Sequence, residues 1–311
     1  MPASPALRSF ASNVLVPPFR TVVRYGPAKQ VLWNTFKKLS WQPHTFEARS
    51  RFGFKFAGNT NDLVSRYIYF FGVWEPAITK WVSRLPLAGR TVIDIGGHLG
   101  WYSLLASKLV GPKGRVVSIE ASPVNFKGLQ HNVAINNFSN IRLVNSAAWD
   151  SVCELDLHFP SKGGTGMGTV VDSFMNSHAE KSSVEYDTIV KVRAAPASSL
   201  IDRVEAKSAA LVKIDVEGAE PQVLAGLGAS FDLFPQDVRI LTEYSPEGVG
   251  PCGSNYLTEH LTRRGFQAYV IPNPYSSDYY LADNPNVELT PVESLSSLNR
   301  QTDLVFSRRP L

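Results

Sequence analysis

This sequence predicts a doubly wound α/β fold, a largely parallel sheet with helices on both faces. Three observations carry that expectation. From about residue 88, short β-branched runs alternate with segments of helical spacing. The connections between them are short, as in successive strand–helix units. The first run ends in a glycine-rich turn, at the sheet edge where open α/β sheets bind ligands.

Thr91 to Ile95 is the first strand of this series. A helix is expected from Leu99 to Val110, with Leu99, Tyr102, Leu105, Ala106 and Leu109 on one face and Gly111-Pro112 as its stop. Arg115 to Ile119 forms the next strand and ends at Glu120. Ser122 then suits an N-cap, with Pro123 at the first helical position of a helix reaching about Asn136. Ile141 to Val144 is a third strand. Beyond it the pattern loosens. Leu155, Leu157 and Phe159 alternate with polar residues, Lys162 to Gly168 reads as a flexible loop, and Ile189 to Val192 suits a strand pairing back as a hairpin. Regularity returns with a strand at Leu211–Asp215, a helix from about Ala219 to Leu227 and a strand at Val238–Thr242. A helix at Tyr256–Arg264, a strand at Gln267–Ile271 and an antiparallel final strand at Asp303–Ser307 complete the chain.

Charge separates the start of the chain from the rest. Residues 1–55 hold nine Lys and Arg against one acid, Glu47, a net +8, so the total of +4 leaves −4 for the remainder. A broad nucleic-acid surface on the main body is thereby excluded. Residues 1–75 read as a basic, aromatic-rich cap and 76–311 as the main domain. Ala28 to Trp41 has helical spacing, with Trp33, Phe36 and Trp41 among Lys29, Lys37 and Lys38. Two readings stand for it: a helix packed on the main domain, or one lying on an anionic membrane. Thr45 to Phe71 is expected to cover part of the main domain. Cys153 and Cys252 are too few for a disulfide scaffold or a cysteine-based zinc site, which points to a reduced, cytoplasmic compartment. No apolar run reaches 18 residues and no secretory signal is evident, so membrane contact is expected only peripherally, through residues 1–55.

The chemistry concentrates in two stretches. In Asp94-Ile95-Gly96-Gly97-His98-Leu99-Gly100 the glycines let the backbone turn sharply beside a ligand. His98 occupies the second glycine position of the dinucleotide pattern G-x-G-x-x-G, so the spacing fits instead the looser turn of S-adenosylmethionine-binding sheets. Glu120 ends the next strand, where a carboxylate accepts hydrogen bonds from ribose hydroxyls. Asp94, Gly96, Gly97, His98, Gly100, Glu120 and Ala121 are the expected cofactor set. The second stretch, Leu211 to Glu220, clusters Lys213, Asp215, Glu217 and Glu220 where a strand meets a helix, with Lys213 and Asp215 on one side of the strand. Glu217 and Glu220 also suit a helix N-terminus. Glu243 points to the same sheet edge. Asn273-Pro274-Tyr275 reads as a polar turn, and His98, His131 and His260 lack zinc-site spacing.

Taken in order, DIGGHLGWYS at 94–103, SIEASP at 118–123 and VKIDVEGAEPQVLAGL at 212–227 resemble the FkbM methyltransferase family. Gly97 and His98 stand where the family's usual D-x-G-A-N-x-G turn has Ala and Asn. The resemblance covers about residues 88–245. It implies a class I methyltransferase (Rossmann-like) fold, S-adenosylmethionine as cofactor and O-methylation of a sugar, glycan or secondary metabolite. Asp215 is then the first candidate for the general base and His98 the second. Alternatively, Asp215, Glu217 and Glu243 hold Mg²⁺, which lowers the pKa of the acceptor hydroxyl. Two competing classes are a nicotinamide-dependent oxidoreductase, disfavoured by the missing G-x-G-x-x-G, and a non-catalytic binding module, disfavoured by the intact Asp94, Gly96 and Glu120.

Overall fold

The computed structural model describes residue 31 and residues 43–160, 164–182, 185–246, 253–282 and 285–311. Most of the expected Ala28–Trp41 helix, with Trp33, Phe36 and Trp41, lies outside them, as do Lys162, Gly163 and Cys252. The chain opens with an antiparallel hairpin, β1 (Thr45–Arg49) and β2 (Lys55–Asn59), followed by helices α1 (Leu63–Phe71) and α2 (Pro76–Ser83). Asp62 caps α1 by accepting a 2.7 Å bond from the Ser65 N–H. Then come β3 (Thr91–Ile95), α3 (Trp101–Val110), β4 (Arg115–Glu120), α4 (Pro123–Ile135) and β5 (Ile141–Asn145). The α3 helix starts two residues later than its apolar spacing suggests, because Gly100 is left-handed, with φ 97°.

The middle of the chain forms a separate three-stranded sheet. It contains β6 (Ala147–Trp149), β7 (Cys153–Pro160) and, after α5 (Asp172–Ser182), β8 (Tyr186–Pro196). The expected hairpin is present, with Leu155 opposite Val192 and Leu157 opposite Val190. The α5 helix lacked an apolar stripe to announce it, yet it buries Phe174. The chain then runs through α6 (Arg203–Lys207), β9 (Ala209–Ile214), α7 (Glu220–Leu227), β10 (Arg239–Tyr244), α8 (Asn255–His260) and β11 (Gln267–Val270). It closes with α9 (Ser277–Leu281), β12 (Thr290–Pro291) and β13 (Thr302–Ser307).

The main sheet has the order β12-β11-β13-β10-β9-β3-β4-β5. Strands β10, β9, β3, β4 and β5 are mutually parallel, and β13 inserts antiparallel between β10 and β11. Strand alternation divides the core by face. Val92, Val116, Leu211, Leu241 and Val305 pack on one side with Phe54, Phe56, Ile68 and Phe71 of the N-terminal segment and Trp101 and Leu104 of α3. Ile93, Val117, Val212, Ile240 and Phe306 pack on the other, against Val223, Leu224 and Leu227 of α7. Burial on both faces is what parallel strands of this composition require.

Two asparagines one turn apart, Asn132 of α4 and its C-cap Asn136, bolt the N-terminal hairpin in place. Asn132 Oδ1 accepts from the Ala57 N–H at 2.7 Å while its Nδ2 donates to the Ala57 carbonyl at 3.0 Å. Asn136 repeats this with Lys55, at 2.7 and 2.8 Å. Each amide imitates a peptide group of a neighbouring strand, so the exposed edge of β2 is satisfied by a helix. Asn132 Nδ2 also donates to the Leu99 carbonyl at 2.9 Å, which ties this clamp to the glycine turn.

Candidate functional site

After β3 the chain moves outward to β4 and β5, then returns on the other side as β9 and β10. The strand order therefore reverses between β3 and β9, which opens a crevice at their carboxyl ends. Gly96 makes that crevice possible. Its φ is 84°, and a Cβ there would lie 1.8 Å from the Asp215 carbonyl oxygen, so no other residue fits the turn. The Gly96 N–H donates to Ile119 O at 2.9 Å and the Asp215 N–H to Ile95 O at 3.1 Å, which fixes three strand ends together.

Glu120 sits at the end of β4 and is 7% exposed. Its Oε2 accepts from the His98 N–H at 2.7 Å and its Oε1 from the Ser122 N–H at 2.8 Å. Burial pushes its carboxyl above the ordinary value, opposed by His98 and these two donors. The carboxylate borders a first chamber of about 640 Å³, its open mouth included, together with Ala121, Asn125, Ala148 and Trp149. A second chamber of about 1180 Å³, again with its mouth, adjoins it toward the N-terminal segment. Gly96, His98, Gly166, Asp215 and Glu217 border both. Of the expected cofactor set, Asp94 and Gly97 border the second chamber and Gly100 borders neither. Gly100 instead turns the chain into α3 against Leu129, whose Cδ1 is 2.6 Å from where its Cβ would be.

The second chamber is built around carboxylates. Lys213 Nζ lies 2.7 Å from Asp215 Oδ2 and 4.8 Å from the centre of the Tyr102 ring. Burial works against the charged form of Lys213, but Asp215, Asp94 and Glu75 override it and hold the lysine protonated. Asp94 Oδ2 accepts from Ser103 Oγ at 2.6 Å. Burial raises Asp94 and Glu75, with Lys213 the main opposing charge for each. Burial raises Glu217 and Glu243 much further, reinforced by Asp215 at Glu217 and by Asp303 at Glu243.

Backbone strain marks the same place. Among the described residues, the non-glycine residues with left-handed φ are Glu75, His98, Asn137 and Glu217, at 42, 48, 53 and 54°. All but Asn137 border the second chamber, the clustering that strain at a working site produces.

Sequence reasoning missed several of these residues. Glu75 and Trp74, on the cap side of the expected boundary, and Tyr102 all line the second chamber. Asn273-Pro274-Tyr275, expected as a polar turn, closes its wall: Asn273 Nδ2 and the Tyr275 hydroxyl donate to Glu75 Oε1 at 2.9 and 2.8 Å. The described part of the expected flexible loop is ordered against the site, with a 3₁₀ turn at Thr165–Met167 and a 3.0 Å bond from Asn125 Nδ2 to Thr165 O. The expected Mg²⁺ site is corrected. Asp215, Glu217 and Glu243 border one chamber, but among the described residues no three His, Cys, Asp or Glu side chains converge as metal ligands. Asp215 is engaged by Lys213 instead.

Comparison with known proteins agrees with this geometry. Residues 94–266, more than half of the chain, match the methyltransferase FkbM domain. "Methyltransferase 1" of Beauveria bassiana (strain ARSEF 2860) is 26% identical over 144 residues, which is 44% of this chain and 57% of that relative. The match thus spans just over half the relative's length. Among solved structures, the FkbM methyltransferase of Methylobacillus flagellatus KT is 15% identical with a TM-score of 0.44, covering 96% of this chain and 60% of that one. The precorrin-6y C5,15-methyltransferase of Geobacter metallireducens GS-15 is 13% identical with a TM-score of 0.37, covering 74% and 85%. The matched family segment contains the glycine turn, Glu120 and the Lys213–Asp215 pair. The chain belongs to the FkbM family of methyltransferases.

Proposed function

We propose that the protein is an S-adenosylmethionine-dependent O-methyltransferase whose acceptor is a hydroxyl of a sugar, glycan or secondary metabolite. The observation that carries this reading is the joined pair of chambers, with strand-end Glu120 in one and Asp215 on the wall common to both. Two buried atoms support the fit to the cofactor. Asn125, which borders the first chamber, and Asp94, which borders the second, each bury a side-chain oxygen, Oδ1, that has no hydrogen-bond partner. A ribose hydroxyl is a donor of the kind Asn125 needs, and the positive charge of the cofactor is what a buried carboxylate such as Asp94 needs. Glu120 would hold the ribose through the lone pairs that its backbone donors leave free.

When bound, the cofactor supplies an electrophilic methyl group. The chain's task is to align an acceptor hydroxyl with it, exclude water and receive the hydroxyl proton. Asp215 is the base we assign first, because it borders both chambers and Lys213 fixes its orientation. His98 is second: its Nε2 lies 3.5 Å from Thr165 Oγ1 and 3.8 Å from Asp62 Oδ1, also on the shared wall. Transfer of labelled methyl from S-adenosylmethionine into a fractionated extract tests the reading. Label on an ether oxygen is the expected result, and label on nitrogen or carbon overturns O-transfer. Among the described residues, no helix is long and apolar enough to cross a membrane. We place the enzyme in the cytoplasm or at a membrane surface.

A further inference from the structure

The two chambers differ in charge. Asp62, Glu75, Asp94, Asp215, Glu217 and Glu243 line the second, and Lys213 is the one Lys or Arg side chain among the described residues that do so. Lys213 is already engaged by Asp215 at 2.7 Å. Hydrogen bonds from Tyr102, Tyr275 and Asn273 satisfy Glu75, and none of them brings a compensating charge. Asp94 is the telling residue. It is 1% exposed, it lines the chamber, and its Oδ1 has no partner. An acceptor buried so completely and left unmatched marks a place for a donor or a positive charge. Carboxylates in excess of cations inside a protein either bind protons or meet a cationic ligand.

We infer that the second chamber selects the charged methyl donor over its spent form, stabilising the sulfonium of S-adenosylmethionine while gaining nothing from the neutral thioether of S-adenosylhomocysteine. This rests on the cofactor assignment above. The sulfur is one methylene removed from the ribose, so a ribose held by Glu120 brings the positive charge toward the wall that both chambers share. Asp215 and Glu217 stand on that wall. Methyl transfer removes the charge from sulfur and with it the attraction, so the product is the more weakly held of the two. The ammonium and carboxylate of the methionyl tail are common to both molecules. Their difference in affinity therefore isolates the sulfonium.

Calorimetric titration of the full chain with S-adenosylmethionine, S-adenosylhomocysteine and sinefungin tests the inference. Sinefungin carries a protonated amine at the position of the sulfonium. The expected result is binding of S-adenosylmethionine about tenfold or more tighter than S-adenosylhomocysteine, a difference of about 1.4 kcal/mol, with sinefungin on the tight side. Glu243→Gln and Asp94→Asn should narrow the ratio to about threefold by weakening the two charged ligands. If Asp94→Asn does not fold, Glu243→Gln decides alone. Equal or tighter binding of S-adenosylhomocysteine by the wild type overturns the inference and leaves the cofactor assignment standing. A ratio unchanged in the folded variants overturns it as well. Binding of none of the three ligands overturns the cofactor assignment itself, and this inference with it.

Discussion

The hydroxyl of Tyr102 donates a 2.6 Å hydrogen bond to Oε2 of Glu75, joining the helix behind the glycine turn to the segment ahead of the sheet. With Asn273 and Tyr275 on Oε1, three stretches of chain meet on one buried carboxylate whose own backbone is held at φ 42°. Glu75→Ala leaves the Tyr102 and Tyr275 hydroxyls without their acceptor and Asn273 Nδ2 with only Asp303. It should lower unfolding free energy by about 2–4 kcal/mol in urea titrations, whereas isosteric Glu75→Gln should cost about 1 kcal/mol. Equal losses in the two variants would assign the cost to packing.

Stability of the ligand-free protein should depend on pH through Glu220, whose Oε1 accepts from the Val216 N–H at 3.0 Å. Burial pushes its carboxyl from 4.5 up to about 7. An acid raised in the folded state contributes stability below its unfolded pKa, and that contribution is lost as pH rises through the folded value. Between about pH 4.5 and 7 the folded state therefore binds the extra proton, and stability falls with rising pH. Relative to Glu220→Gln, the wild type should lose up to ~1.4 kcal/mol per pH unit across this window. Parallel profiles for the two proteins would remove Glu220 from the account.

Glu120→Ala should weaken S-adenosylhomocysteine binding by tenfold to a hundredfold, on the order of 1.5–3 kcal/mol for a charge-assisted contact. Because the carboxylate also serves the His98 and Ser122 N–H groups, the comparison needs a variant verified as folded by circular dichroism. Unchanged affinity in such a variant means that the ribose lies elsewhere.

Asp215→Asn should bind the uncharged product S-adenosylhomocysteine almost normally and lose turnover by about 10²–10⁴, the usual reach of a positioned base. His98→Asn restores the residue usual at this turn in the family pattern, so it should fold and keep most activity if Asp215 is the base. The opposite ranking of the two variants transfers that role to His98. Full activity in both makes the Lys213–Asp215 pair structural.

The sheet was legible because its signals are local. The β-branched runs at 91–95, 115–119 and 211–215 and the turns between them each announce themselves within a few residues. The glycine turn and Glu120 were legible for the same reason. The second chamber was not, since Glu75 and Tyr275 are 200 residues apart and meet only through packing of the N-terminal segment on the sheet. Neither residue sits in a periodic pattern that distinguishes it from an exposed polar side chain. The α5 helix carries no apolar stripe: among its described side chains Phe174 is the one that is buried. Asp215, Glu217 and Glu243 border one chamber, but spacing along the chain does not say whether carboxylates converge on a point. Lys213, on the same side of the strand, takes the place beside Asp215 that a metal would need.

The basic leader should govern where the enzyme works and leave its chemistry unchanged. Of the nine basic residues in 1–55, the three described ones are tied within the hairpin region. Arg49 donates to Gly53 O at 2.8 Å, Arg51 to Phe71 O at 2.7 Å, and Lys55 pairs with Glu47 at 3.0 Å. Any attraction to a membrane therefore rests mainly on Arg8, Arg20, Arg24, Lys29, Lys37 and Lys38, each contributing about 1 kcal/mol near an anionic surface. Full-length protein should sediment with phosphatidylserine vesicles at low salt and detach near 1 M salt, where screening shortens to about 3 Å. Removing residues 1–40 should abolish sedimentation and leave S-adenosylmethionine affinity unchanged. Full-length protein that stays in the supernatant at low salt ends the membrane reading and returns the leader to a cap packed on the main domain. A truncated protein that loses cofactor affinity would show instead that the leader supports the site.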